Sequence, residues 1–146
     1  MLPKEVTSMS FESFREETAG KRLILLYPWA NFRNVFLGYF LDDVKEGLLY
    51  HRIPEKMNNL NTWVSGLLSE IQHVMPDFGS HAHDALANGS SAAIGKALAM
   101  DLSEINTERV VLFIDELDRV PQDDNFKEFV TALVDNLADN VQLAVN

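Results

Sequence analysis

The sequence predicts an α/β domain: a parallel sheet of about four strands with helices on both faces. Three observations carry that expectation. Short apolar runs of strand length alternate with longer segments whose apolar residues recur at helical spacing. One such run, "RVVLFID" at 109–115, leads straight into further acids, as a buried strand does at the ligand edge of an open sheet. The chain has 146 residues, 47% of them hydrophobic, which suits one domain, 1–146, with a real core.

Each element has a local reason. "SFESFREETA", 10–19, reads as a short helix between Ser10 as N-cap and Gly20 as the residue beyond its C-terminus. "KRLILLY", 21–27, is too short for a helix and suits a buried strand, which Pro28 ends. "NFRNVFLGYFLDDVK", 31–45, is helical: Asn31 caps it, Phe32, Val35, Phe36, Tyr39 and Phe40 form its apolar face, and Gly47 ends it. "GLLYHRI", 47–53, is a second strand, stopped by Pro54. Leu60, Trp63, Val64, Leu67, Leu68, Ile71, Val74 and Met75 make one clean helical face, terminated by Pro76. "DFGSHAHDALANGSS", 77–91, is mixed and polar, a short or broken helix. "SAAIGKALAMDL", 91–102, is a further helix. After strand 109–115, Pro121 and the acids at 123–124 open a helix with Phe126, Phe129, Val130, Leu133, Val134 and Leu137 on one face. "VQLAV", 141–145, is the last strand. Strands that alternate with helices imply parallel pairing and right-handed crossovers.

Composition narrows the function classes. Twelve Lys and Arg against 22 Asp and Glu give a formal charge of −10. That argues against direct contact with nucleic acid or an anionic membrane, since both need clustered cations. No cysteine is present, so there is no disulfide framework. The N-terminal stretch lacks the apolar core of a signal peptide, and no run reaches membrane-spanning length. The expectation is a soluble cytoplasmic protein.

Two stretches carry chemistry. In "VVLFIDELD", a buried strand would deliver Asp115 to the carboxyl edge of the sheet, where it can hold Mg²⁺ through water. Glu116 beside it can orient or deprotonate an attacking water. The plainer reading is a strand that ends in an acidic turn, with Glu116 a solvated charge and Asp118 a loop or cap residue. "YPWANFRN", 27–34, occupies the strand-to-helix turn where many α/β proteins hold phosphate. Placed against the phosphate-loop pattern [AG]-x-x-x-x-G-K-[ST], Phe32 stands where glycine lets the backbone approach phosphate. Arg33 stands where lysine would reach it, and Asn34 replaces the metal-binding hydroxyl. Arginine's planar fork is no geometric substitute for lysine. Pro28, Asn31, Arg33 and Asn34 are the candidate cofactor-binding positions, aided by the N-terminus of the following helix; the plainer reading is an ordinary turn with Arg33 on the surface. Phe32 and Trp29 add bulk where a phosphate would need room, so Phe32 rather than Arg33 is the informative position. His81, His83 and Asp84 lie close in sequence, with His73 upstream, but match no zinc spacing and read as loop surface. The aromatics, Trp63 included, read as core.

These motifs and the order of elements resemble the nucleotide-binding domain of STAND-type P-loop NTPases, in the branch of LuxR/MalT-like bacterial transcriptional regulators. "YPWANFRNVFL" corresponds in place to that family's "APAGxGKTTLL", with a degenerate Walker A. "VVLFIDELD" resembles its Walker B, and "NVQLAVN" its next strand, at whose tip the family often carries an arginine. The resemblance runs from about Phe11 to Asn146. It implies a three-layer fold with strand order near 1-4-3-2, C-terminally truncated because a fifth strand, lid and DNA-binding domain do not follow. It implies ATP and Mg²⁺ as the cofactors of an intact site, with Asp115 on the metal and Glu116 as catalytic base.

With all three Walker A functions replaced, the expected role is a degenerate regulatory or contact module that does not hydrolyse nucleotide. The alternative is a STAND domain that binds or hydrolyses ATP through a non-standard loop. An unrelated flavodoxin-like or receiver-like domain is the third reading. Tyr27-Pro28 at the end of strand one, and the absence of lysine after Lys127, argue against a receiver. Expected partners are other domains or protomers; strand one, left near a sheet edge, invites a homodimer.

Overall fold

A computed structural model of the chain describes residues 16–25 and 46–146. The expected turn at 27–34 and helix at 31–45 lie outside these residues, as does most of the helix at 10–19. Four strands are present: β1 (Leu23–Leu25), β2 (Leu48–Arg52), β3 (Val110–Asp115) and β4 (Val141–Val145). Among the described residues four helices accompany them, besides the helical turn at 16–18: α1 (Leu60–Gln72), α2 (Ser80–Asn88), α3 (Ser91–Ser103) and α4 (Asp124–Asn136). The strands form one sheet in the order β1-β4-β3-β2, and every pairing is parallel. This is the order the sequence led us to expect. It differs from the 2-1-3-4-5 order of flavodoxin-like and receiver-like sheets.

β3 is the central strand. All six of its residues are buried, and the strand period of two divides them between two faces. Val110, Leu112 and Ile114 face a core built with Val141, Leu143 and Val145 of β4 and with Trp63, Leu67, Leu98, Phe129 and Leu133 from the helices. Trp63 of α1 meets the ring of Phe129 of α4 edge-on at 5.4 Å between centroids. The other face carries Val111, Phe113 and Ala144, each fully buried. There the Gln142 amide donates to the Thr18 and Lys21 carbonyls, which ties the helical turn at 16–18 to the sheet. Helices therefore flank both sides. An all-parallel sheet needs such cover, because its strands are apolar on both faces.

The helix starts follow local rules. Asn59, Ser90 and Asp123 cap α1, α3 and α4 by accepting from the backbone N–H three residues on. Gly20 adopts φ +71° just past the helical turn, the left-handed conformation expected of a residue beyond a helix end. Within the segment read as a short or broken helix, Ser80–Asn88 form the short helix α2, so His81 and His83 are helical rather than in a loop. Ser80 starts it because Gly79 takes φ +92°, a value side-chain-bearing residues rarely adopt.

Helices α3 and α4 approach closely at Gly95. A Cβ placed there would sit 2.3 Å from the Phe129 carbonyl oxygen and 3.2 Å from the Ala132 Cβ. Backbone cannot yield as a flexible side chain can, so Gly95→Ala forces the two helices apart. Overpacking of this kind costs about 1–3 kcal/mol, more than the roughly 1 kcal/mol that alanine gains in helix propensity. A lowered urea midpoint for Gly95→Ala checks this.

Candidate functional site

The carboxyl edge of the sheet is where open α/β folds bind ligands, and β3 ends there on Asp115. Its side chain lies on the face opposite the main core and is 1% exposed. Tyr50 of β2, in register with Phe113, donates its hydroxyl to Asp115 Oδ2 at 2.7 Å. The Tyr50 ring rests on Phe113, 5.7 Å between centroids. Asn146, one residue past β4, donates its side-chain amide to Asp115 Oδ1 at 2.9 Å. Each carboxylate oxygen thus accepts from a different strand's side chain. The backbone closes the same junction: Ile53 N–H donates to the Asp115 carbonyl, Asn146 N–H to the Ile114 carbonyl and Leu117 N–H to the Asn146 carbonyl.

Glu116 turns the chain out of the strand with φ +64° and ψ +43°. That left-handed conformation is uncommon for a residue with a Cβ. The Glu116 carboxylate lies 3.6 Å from the Arg52 guanidinium and 3.9 Å from that of Arg119. Arg119 is itself fixed by donating to the Ile53 carbonyl at 2.7 Å, with Glu55 3.9 Å away. The 3₁₀ turn Leu117–Arg119 holds Asp118, the expected loop or cap residue. β1 ends one strand beyond β4, with Leu25 opposite Val145. Asn146 therefore sits between the strand that bears Asp115 and the strand that leads to residues 27–34. Pro28, Asn31, Arg33 and Asn34 themselves lie outside the described residues.

The sequence reading found Asp115 and Glu116 but missed Tyr50, Asn146, Arg52 and Arg119. Nothing local marks them. Tyr50 and Arg52 reach the edge only because β2 pairs with β3 in this register, and Asn146 only because β4 inserts beside them.

A second polar cluster joins α2 and α3. Because Gly79 has no side chain to cap α2, Asp101 of α3 does so from outside. Its carboxylate accepts from the His81 N–H at 3.1 Å and the Ala82 N–H at 2.8 Å. His81 Nε2 in turn lies 2.8 Å from Glu104 Oε1. The bond to Glu104 raises the His81 pKa above its ordinary 6.5, with Asp101 and Asp84 adding to it. Burial raises the Asp101 pKa, opposed by the two N–H bonds. Asp101 and Glu104 also line a cavity of about 400 Å³ with Met75, Pro76, Phe78, Gly79 and Ile105. The two partners of His81 stand 20 and 23 residues away in sequence, so spacing within "HAHD" could not reveal them; His83 and Asp84 are exposed on α2 and do not join the cluster.

A third polar contact links β2 to α1: Nδ1 of the buried His51 lies 2.6 Å from Oε2 of the exposed Glu70. Among the described residues no helix is long and apolar enough to cross a membrane. Compared with known proteins, the sequence matches no family model and no curated protein.

Two predictions follow from the two clusters. Asp115→Ala leaves the Tyr50 hydroxyl and the Asn146 amide without their acceptor, and should cost roughly 2 kcal/mol or more in equilibrium unfolding. Asp115→Asn, which keeps one acceptor oxygen, should cost less. His81 should titrate above 6.5 by NMR, and Glu104→Gln should lower its pKa. A raised folded-state pKa means that this contact stabilises fully below the unfolded value and fades as pH rises through the folded one. Asp101, whose folded-state pKa is also raised by burial, acts in the same sense at lower pH: its contribution is present while it is protonated and is lost as pH rises through its folded value.

Proposed function

We propose that the chain is a degenerate NTPase-like regulatory module, of the kind found in the STAND-type bacterial transcriptional regulators it resembles, and that it does not hydrolyse nucleotide. The observation that carries this reading is the state of the acidic pair. A Walker B aspartate must offer an oxygen to the water shell of Mg²⁺, and the following glutamate must face the attacking water. Asp115 is instead shielded from solvent and receives Tyr50 on one oxygen and Asn146 on the other. Glu116 is held between two arginines. In this arrangement the two acids fasten the ends of β2, β3 and β4 together. The replaced residues of 27–34 agree with that role.

Regulation would then act through contact with other domains or protomers. Among the described residues β1 pairs only with β4, and Leu25 on it is 54% exposed, so the outer edge of β1 is the surface we assign to such contact.

One observation favours a second reading, an ATP-binding domain with a non-standard loop. The strand order brings the end of β1 to within one strand of Asp115, the spacing a phosphate loop and its Mg²⁺ ligand require in the family that the sequence resembles. Titration calorimetry with Mg-ATP and Mg-ADP, together with a phosphate-release assay, separates the two. The degenerate module gives no saturable heat and no turnover. Micromolar binding with turnover overturns it, and loss of that binding in Asp115→Ala and Arg33→Ala would place the nucleotide at this edge.

A further inference from the structure

We propose that His81, Asp101 and Glu104 form a mononuclear site for a divalent first-row transition ion, with Zn²⁺ the best fit, at the junction of α2 and α3. One ligand atom from each residue lies within 4.8 Å of the other two. Bonds of about 2.0–2.2 Å to one ion place two ligand atoms roughly 3.0–3.6 Å apart, so the three need only a small inward shift. The 2.8 Å separation of His81 Nε2 and Glu104 Oε1 is already close to that range. Glu104 has the freedom to complete the shift, since its side chain is 63% exposed.

The remaining two ligands are held in place. Asp101 is 2% exposed, and its carboxylate is aligned by two backbone N–H bonds from the first turn of α2. Those bonds are the fixed outer contacts that orient a ligand carboxylate. The same turn carries His81, so the group that orients Asp101 also delivers the imidazole. Asp101, in α3's last turn, and Glu104, the helix's C-cap residue, stand three apart in sequence and so neighbour each other.

The chemistry of the donors selects the metal. One imidazole nitrogen with two carboxylate oxygens disfavours Mg²⁺ and Ca²⁺, which take oxygen alone. It suits Zn²⁺, and Mn²⁺ with lower affinity in the usual order of divalent ions. Two carboxylates and a neutral imidazole carry a charge of −2, which the dication cancels beside a buried acid. Three protein ligands leave a fourth position for water or a small anionic ligand. The adjoining cavity of about 400 Å³, lined by Asp101 and Glu104, offers room for either. The site lies away from the carboxyl edge of the sheet and shares no residue with it, so it stands or falls independently of the nucleotide reading.

Titration of the metal-free full chain with Zn²⁺ alone, by calorimetry, tests the assignment. One equivalent should bind with micromolar affinity or better. His81→Ala and Glu104→Gln should each weaken it at least tenfold, while His73→Ala and His83→Ala should leave it unchanged. Co²⁺ in place of Zn²⁺ should give a visible absorption band that His81→Ala abolishes. Circular dichroism melts of the variants without metal establish that they fold; both altered side chains reach the surface, and the Co²⁺ band of the unmutated chain gives a readout that no variant's folding affects. Absence of saturable Zn²⁺ binding, or binding and a Co²⁺ band that survive both substitutions, overturns the proposal.

Discussion

Burial of β3 on both faces is the constraint on which the rest of this structure depends. Its six residues have no solvent-facing side, so the sheet needs layers above and below it. Val110, Leu112 and Ile114 each gain roughly 1.5–3 kcal/mol from removal from water, and helices α1, α3 and α4 supply the surface that removes them. Val111 and Phe113 require the same on the other face. Its neighbours β2 and β4 run parallel to it, because each connection to them carries helix back across the sheet.

The same constraint explains the form of the acidic edge. A strand buried along its whole length also buries its last residue, and here that residue is an aspartate. An acid out of reach of solvent needs donors, and among the described residues the flanking strands bring two of them. Tyr50 comes from β2 on one side and Asn146 from beyond β4 on the other. Glu116, one residue further, turns through a left-handed conformation and reaches the arginines of β2 and the 3₁₀ turn. The edge is thus a polar clasp across three strands, built from residues whose types would also suit a metal and nucleotide site.

At the junction of α2 and α3 the reasoning runs the same way from a different start. Gly79 gives α2 a sharp beginning and removes its own cap, so the orphan N–H groups of the first turn take Asp101 from the next helix. That one substitution of a distant cap for a local one draws an aspartate, a glutamate and a histidine to a single point beside a cavity.

Among the described residues, the sequence by itself determined the element types and most of their limits to within a few positions. Periodicity is a local property, and Pro54 and Asp123 mark boundaries through their immediate neighbours; Pro76, read as the terminator of α1, lies beyond its end at Gln72. It also determined that Asp115 ends the most apolar strand, and Trp63, read as core, is buried. Spacing within "HAHD" could not show that His81 stands beside Asp101 and Glu104, which lie 20 and 23 residues further on. Only the tertiary structure decided which side chains Asp115 would meet, that Gln142 would anchor the turn at 16–18, that Gly95 would touch the backbone of α4, and that His81 would find Asp101 and Glu104. The physical reason is common to all four. Each depends on strand register or on helix-to-helix approach, which are set by how whole faces pack together, and no stretch of neighbouring residues records that distance.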